Sequence, residues 1–215
     1  MFSRFIYVVD NFYPNPGSIR RKALDLTYSE PEGLVGWRTR AYHPTDVRRL
    51  IERKFKVRIK YWEVDLSAIE CCNGVFFSAY SKGTRAETVG VHYDEPVSWV
   101  MLLVYLTPDA PPDSGTSFWK HRRTGLVGRP SRRDAERLGV SVHELEDVLL
   151  RDAQRRPCWI ETDRVGNVFN RALMFPSGML HSASRHFGSN RSNGRLYQSF
   201  HFPLHGKVAS RGQSR

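Results

Sequence analysis

A histidine and an aspartate separated by one residue offer two metal ligands in a favourable spacing. His92 and Asp94 lie in the stretch VGVHYDEPVSWVMLLVYL, which covers residues 89–106. In an extended strand, residues two apart point to the same face, so both side chains can reach one ion. The pattern predicts a strand, a tight turn at Pro96 and a second strand that is buried on both faces. The two ligands would then sit at the mouth of a packed sheet.

A third ligand is needed before this pair becomes a metal site, and His181 is the best candidate. It follows the strand-like run 172–175 and a Pro-Ser-Gly turn. Two histidines and one carboxylate leave three positions of an octahedron open, which is the ligand set of non-haem Fe(II) oxygenases. Zinc hydrolases use the same donors, so ligand identity alone does not choose the metal. Each residue also has an ordinary structural interpretation, as a strand, turn or surface residue.

The order His92-x-Asp94, a long interval, His181 and then an arginine that opens a C-terminal strand resembles the Fe(II)- and 2-oxoglutarate-dependent oxygenases. The stretches VVDNFYPNPGSIRRKAL (8–24) and SGTSFWKHRRTG (114–125) are similar to segments of the prolyl-hydroxylase-like branch. The resemblance implies a small single-domain enzyme of bacterial type. Its fold would be mainly β with flanking helices, a double-stranded β-helix of the jelly-roll or cupin-like kind with N-terminal helices packed outside the barrel.

By this resemblance, three residues hold Fe(II), and an arginine binds the distal carboxylate of 2-oxoglutarate. The iron ligands would be His92, Asp94 and His181. Arg195 is our choice for the carboxylate because it opens the alternating strand 195–202, and Arg191 is the alternative. An arginine suits this role since its planar fork offers two parallel donors and keeps its charge. With O₂, these cofactors would oxidise an unactivated C–H bond of the substrate and release succinate and CO₂.

Other side chains are expected near the cosubstrate and the substrate. Tyr197 and Ser199 share a strand face with Arg195, and Tyr80 ends the strand before the metal hairpin. We expect these three hydroxyls around 2-oxoglutarate. The expected substrate contacts at the barrel mouth, three of them cationic, are Trp119, Arg122, Arg123 and Arg171. The other C-terminal histidines are expected in the core, the rim and the tail, and they are His186, His201 and His205.

Two other functions stay open. The formal net charge is +11 at pH 7, which favours an anionic partner and makes a nucleic-acid demethylase of the same superfamily the first alternative. The second is a zinc hydrolase, or a metal-binding β-helix protein without oxygenase activity, with the same three ligands. We prefer a small molecule, an amino acid or a peptide as the substrate, because the arginines are spread widely through the chain.

The 215 residues, 40% of them hydrophobic, suit one domain with a sizeable core over residues 1–204. A basic loop and a helix form an insertion at 120–157, and a basic tail at 205–215 is expected to be disordered. No apolar run approaches transmembrane length, so we expect a cytoplasmic protein. The odd number of cysteines predicts free thiols, and these are Cys71, Cys72 and Cys158.

Helix signals occur at three places. Asn15 and Pro16 start the first helix, and Thr45 starts the second. Ser141 and Glu144 form a capping box at the start of the third, which is expected to end near Arg151. Outside the metal hairpin, strands are expected at 2–9, 58–64, 74–80, 159–162, 172–175, 179–182 and 195–202.

Overall fold

The computed structural model describes residues 4–29, 36–63, 73–81 and 90–206. Its strands are β1 (Tyr7–Val9), β2 (Trp37–Ala41), β3 (Val75–Ala79), β4 (Val100–Tyr105), β5 (Thr116–His121), β6 (Trp159–Val165), β7 (Ala172–Pro176), β8 (His181–Ala183) and β9 (Arg195–Phe202). Its α-helices are α1 (Pro16–Asp25), α2 (Val47–Phe55), α3 (Arg132–Leu138) and α4 (Val142–Asp152). The paired strands run antiparallel. The expectation of a mainly β structure with flanking helices is confirmed at this level.

The strands form two sheets. The large sheet has the order β1-β7-β4-β9-β3-β2, and the small sheet has the order β6-β5-β8. Neighbours within each sheet are mostly distant along the chain, so the chain passes back and forth between the sheets. This arrangement brings segments from both halves of the sequence to one cleft.

The large sheet turns one face, here called the inner face, toward the small sheet. Met101, Leu103 and Phe175 of the inner face form one apolar cluster with Phe118 of the small sheet. The rings of Phe118 and Phe175 meet edge-on, with centroids 5.0 Å apart. Leu102 points to the opposite, outer face and belongs to a second cluster. Because β4 is buried on both faces, its sequence is an uninterrupted apolar run.

Helices α1 and α2 cover the outer face. Ile19 and Ala23 of α1 and Ile51 of α2 are buried in the same cluster as Leu102. The predicted cap is present, since the side chain of Asn15 accepts a hydrogen bond from the backbone N–H of the third helical residue. The second helix begins two residues later than predicted, at Val47.

Helices α3 and α4 lie between β5 and β6 in the sequence. They pack on the side of the small sheet that faces away from the large sheet, in a cluster with Trp119 and Trp159. The predicted capping box at Ser141 is present at the start of α4. Helix α3 was not predicted, although Ser131 and Asp134 form a capping box at its start. A buried hydrogen-bonded pair ties α4 to the end of β5, between His121 and Asp152 at 3.2 Å.

Several expected elements differ from the structure. Residues 90–99 contain no strand, and only His92 makes an isolated bridge there. In place of the strand at 58–64, Ile59 bridges Leu204, and residue 64 lies outside the described residues. Strand β2 was missed because WRTRA lacks a clear alternation of apolar and polar residues.

Some expectations fall partly or wholly outside the described residues. These are Cys71, Cys72, residues 2–3 of the first predicted strand and residues 207–215 of the tail. Cys158 is described and is a free thiol. Within the described ranges, no helix has both the length and the apolar character that crossing a membrane requires.

We predict that Ile51→Ala destabilises the protein by about 2–4 kcal/mol, because it removes a fully buried side chain from between α2 and the outer face. The measurement is urea unfolding, and Arg53→Ala, an exposed site on the same helix, is the control. Equal midpoints for the two variants would show that α2 does not pack on the sheet.

Candidate functional site

The three predicted ligands meet at one edge of the cleft between the sheets. His92 and His181 are joined by two backbone hydrogen bonds, in which each N–H donates to the other carbonyl, at 3.0 and 2.8 Å. The backbone N–H of Asp94 donates to the carbonyl of Ser177 at 2.8 Å, in the turn after β7. The backbone therefore fixes all three residues before any ion binds.

The donor atoms of the three side chains point to one another. Asp94 Oδ2 lies 3.3 Å from His181 Nε2, and Asp94 Oδ1 lies 3.7 Å from His92 Nε2. One donor atom from each residue lies within 4.8 Å of the others. Among the described residues, this is the one group of three or more metal-ligating side chains with such spacing. Two imidazoles and a carboxylate fit a divalent first-row transition metal.

Both imidazoles are held in the tautomer that a metal needs. Nδ1 of His92 lies 2.9 Å from the carbonyl of Gly90, and Nδ1 of His181 lies 2.9 Å from the carbonyl of Met179. A carbonyl only accepts hydrogen bonds, so each Nδ1 carries the proton. The Nε2 lone pairs are thereby directed toward Asp94, which is the second layer of support seen at protein metal sites.

The electrostatics of the site favour metal-binding protonation states. Removal from water lowers the pKa of His92, and the neighbouring His181 lowers it further, so this ring is neutral at pH 7. Burial acts to raise the pKa of Asp94, but in the acid range where this group titrates the charge and the hydrogen bond of His181, together with the charge of His92, outweigh burial and lower the pKa to about 2. Asp94 is therefore ionised at neutral pH, which is the state of a carboxylate that binds a metal ion.

Arg195 is buried on the inner face without an acidic partner. The residue is only 3% exposed, and NH1 donates to the carbonyls of Ser114 and Gly115 at 2.5 and 2.6 Å. NH2 lies 3.3 Å from Oγ1 of Thr116. In the described part of the chain, it makes no ion pair with a carboxylate. A desolvated guanidinium of this kind favours an incoming anion strongly.

Tyr197 connects the arginine to the metal ligands. Its ring lies 5.1 Å from the Arg195 guanidinium carbon. Burial raises the pKa of Tyr197 to about 12; the nearby Arg195 acts to lower it and the nearby Asp94 to raise it. The hydroxyl therefore stays protonated at neutral pH. Tyr197 packs against the cluster that contains Phe118 and Phe175, and both of those rings contact His181, so Arg195, Tyr197 and the predicted metal ligands line one cleft.

The remaining predicted cosubstrate residues have other contacts. Ser199 is on the same face, but its hydroxyl donates to the sulfur of Met101 at 3.0 Å. Arg191 stacks on the ring of Tyr28 at 3.8 Å, beyond the end of α1. Tyr80 directly follows β3 at the end where that strand pairs with Arg195. Arg195 and Tyr197 thus line the same cleft as the predicted metal ligands, whereas the side chain of Ser199 bonds to Met101 and that of Arg191 stacks on Tyr28.

The predicted substrate contacts are not brought together at the cleft. Trp119 is 1% exposed and lies on the opposite side of the small sheet, where Nε1 donates to Ser182 Oγ at 3.0 Å. The expected contact of Trp119 with substrate at the barrel mouth is wrong, because this side chain points into the cluster of the insertion helices. Arg171 forms a two-point ion pair with Asp10, at 2.6 and 3.0 Å. Arg122 donates to the carbonyl of Pro157, and Arg123 is exposed in the same turn.

A support that the sequence did not indicate lies beneath Asp94. His201 was expected at the rim, but it is buried, and its Nε2 is 2.8 Å from the hydroxyl of Ser177. The carbonyl of Ser177 accepts the N–H of Asp94, so β9 supports the ligand loop through this serine. Trp99 packs against the His201 ring at 5.0 Å. The one available signal was that His201 has the same strand parity as Arg195.

A family model described as "Family of unknown function (DUF6445)" matches residues 3–201. No curated protein matches the chain. Among solved structures, HygX from Streptomyces hygroscopicus with iron bound is 14% identical, with a TM-score of 0.47, over 92% of this chain and 82% of that chain. The same protein with nickel, 2-oxoglutarate and hygromycin B bound gives 14% identity, a TM-score of 0.42 and the same coverage.

A prolyl-4-hydroxylase from Pseudomonas putida is 12% identical, with a TM-score of 0.37, and the match covers 95% of each chain. Similarity at this level assigns neither a fold nor an activity to the present chain.

We predict that the purified chain binds one divalent transition-metal ion and that Asp94→Ala weakens binding by about a hundredfold or more, since even outer-shell changes cost 10- to 100-fold. Equilibrium dialysis with metal analysis measures this. His143→Ala, at an exposed histidine on α4, is the matched control and should bind like the wild type. Unchanged metal affinity in Asp94→Ala would contradict the ligand assignment.

Proposed function

The chain belongs to DUF6445, a family of unknown function, and we propose that it is an Fe(II)- and 2-oxoglutarate-dependent dioxygenase. The substrate would be a small molecule, an amino acid or a peptide side chain, oxidised at an unactivated C–H bond. One observation carries the proposal: the His92, Asp94 and His181 cluster shares its cleft with a buried arginine, Arg195, that has no acidic partner in the described part of the chain.

The path of the chain supports a double-stranded β-helix. From β3 to β9, the segments alternate between the sheets, except that β5 and β6 are neighbours in the small sheet. The segment at His92 extends the small sheet, because it bridges β8. Such a barrel places ligands from its two halves at one open end, which agrees with the 89-residue interval between the two histidines.

The donor set fits iron together with a chelating cosubstrate. Three protein ligands leave three positions of an octahedron for the cosubstrate and O₂. The 2-oxo acid end of 2-oxoglutarate would bind the metal, and its distal carboxylate would pair with the Arg195 fork. When bound, these cofactors supply the oxidising power for the C–H bond, with succinate and CO₂ as co-products.

The chain's own residues orient the reactants and exclude water. The Arg195 guanidinium donates hydrogen bonds to the backbone carbonyls of Ser114 and Gly115, and these two bonds fix the direction of its fork. The protonated hydroxyl of Tyr197 can donate a hydrogen bond to an anion in the cleft. Phe118 and Phe175 pack beside His181 and keep that side of the cleft apolar. This environment strengthens every charge interaction inside.

A zinc hydrolase with the same ligands explains less of the structure. A hydrolase needs the metal and a base, but it gives no role to an uncompensated guanidinium within the same cleft.

The nucleic-acid alternative draws on the net charge of the chain. Several of those arginines are in ion pairs on the surface, such as Arg171 with Asp10 and Arg164 with Glu161.

We predict that the protein with Fe(II), O₂ and 2-oxoglutarate forms succinate slowly without substrate, and faster when a substrate is found in a screen of amino acids and peptides. Asp94→Ala should abolish both rates, because the metal is lost. Succinate is quantified by NMR or mass spectrometry. Tightly bound zinc, with no succinate formed after exchange for Fe(II), would support the hydrolase instead.

We predict that Arg195→Ala raises the apparent KM for 2-oxoglutarate about ten- to a hundredfold, because a charge-assisted bidentate pair contributes about 1.5–3 kcal/mol. Fe(II) affinity should stay near that of the wild type. Arg195→Lys should recover only part, since a point charge replaces the fork.

Arg191→Ala and Arg191→Lys are the paired comparison in the same kinetic assay. Because Arg191 stacks on Tyr28, its substitutions should leave the KM for 2-oxoglutarate unchanged. A large effect at Arg191 with none at Arg195 would move the cosubstrate site to the loop before β9.

A further inference from the structure

A second guanidinium that has no acidic partner among the described residues lies on the inner face, at Arg38 of β2. Arg38 pairs in register with Phe77 of β3, and Phe77 pairs with Tyr197 of β9. Directly paired residues share a face, so all three side chains are on the inner face. The guanidinium carbon of Arg38 lies 4.8 Å from the centre of the Phe77 ring. Its Nε is buried and has no hydrogen-bond partner.

Arg38 and Arg195 lie against the same pair of aromatic rings. The rings of Phe77 and Tyr197 are stacked, with centroids 5.1 Å apart and planes 5° from parallel. The guanidinium carbon of Arg195, two residues before Tyr197 on β9, also lies 5.1 Å from the centre of the Tyr197 ring. One stacked pair of aromatic rings thus contacts two cations.

The anions proposed for the cleft leave one cation, Arg38, unpaired among the described residues. The carboxylate in this part of the described structure is Asp94, and the proposed metal takes it. The proposed 2-oxoglutarate brings two carboxylates, one for the metal and one for Arg195. None of these carboxylates is assigned to Arg38. Its Nε is buried, and a guanidinium in such a position favours a carboxylate partner.

The position of Arg38 suits a substrate more than a second cosubstrate molecule. It is two strands away from Arg195 in the large sheet, which corresponds to roughly 10 Å at the usual strand spacing. Arg195 is almost fully buried, whereas Arg38 is half-buried, which suits a residue that contacts a molecule entering and leaving the cleft.

We propose that Arg38 binds a carboxylate of the primary substrate and so selects acidic small molecules or the free carboxyl end of an amino acid or peptide. This inference rests on the proposed function for the identity of the reaction, but the anion site itself requires no turnover. Phe77 holds the guanidinium by its ring face, which leaves the fork free for two parallel hydrogen bonds.

Binding without turnover tests this directly. Ligand-observed NMR on the full chain would measure a panel of carboxylic acids against their primary amides: amino acids with amino-acid amides, benzoate with benzamide and hexanoate with hexanamide. We expect at least one acid to bind the wild type at millimolar concentration or below, with its amide about tenfold weaker or more. Arg38→Gln should weaken that acid by a similar factor, and Arg38→Lys should weaken it less.

One control variant separates Arg38 from its surroundings. Arg40→Gln, at an exposed arginine on the same strand, should bind the acid like the wild type. If Arg38 served only to pack on Phe77, Arg38→Gln would lower the melting temperature and leave acid binding unchanged. That result, equal binding of acids and amides, or no binding of any acid in the panel would overturn the proposal.

The kind of anion and the reaction are separated by two more outcomes. Binding of inorganic phosphate that depends on Arg38, with no carboxylate bound, would overturn the carboxylate assignment in favour of a phosphorylated substrate. Absence of succinate formation with Fe(II), alongside acid binding that depends on Arg38, would refute the oxygenase function and leave the carboxylate site standing.

Discussion

The pair of backbone hydrogen bonds between His92 and His181 is the constraint on which the site depends. It joins a segment that has no strand of its own to the edge of the small sheet, and it places the two imidazole centroids 4.5 Å apart. Both Nδ1 atoms then meet backbone carbonyls two residues earlier. Position and tautomer are therefore set by the main chain, and Asp94 completes the cluster from a loop held by Ser177. Folding supplies the free energy that orders the ligands, so the ligand side chains lose little further conformational entropy when a metal binds.

The inner face combines this cluster with two cations, Arg195 and Arg38, that no acidic side chain of the described residues neutralises. Arg195 is stabilised by two carbonyls and by the faces of Tyr105 and Tyr197, which makes a buried charge tolerable without cancelling it. Arg38 likewise lies over an aromatic ring, that of Phe77, but its Nε has no hydrogen-bond partner among the described residues. A cleft of this kind attracts anionic ligands and orders them. Burial costs each guanidinium part of its hydration, and pairing with an anion offsets that cost. The candidate metal cluster and the two arginines thus suit ligands that carry carboxylates.

The sequence predicted the parts of this site that depend on local spacing. The spacing of His92 and Asp94, the turn before His181 and the parity of Arg195 and Tyr197 are all local patterns, and the structure brings these residues to one cleft. The prediction that Trp119 contacts the substrate was wrong because adjacent residues of a strand point to opposite faces. Phe118 points into the cleft, and Trp119 therefore points away from it. Arg38 was missed because β2 has no apolar alternation, and the support of Ser177 by His201 was missed because it joins distant elements. Pairing partners of this kind are set by tertiary packing, which single-chain patterns do not encode.

The most direct test is a crystal structure of the full chain grown with Mn(II) and N-oxalylglycine, an unreactive analogue of 2-oxoglutarate. We predict one ion bonded to Nε2 of His92, the carboxylate of Asp94 and Nε2 of His181, with the two-oxygen end of the analogue on the ion. The distal carboxylate should lie against the fork of Arg195. An ion bound elsewhere, or an analogue whose distal carboxylate contacts Arg191 and leaves Arg195 with its carbonyl partners alone, would contradict the account.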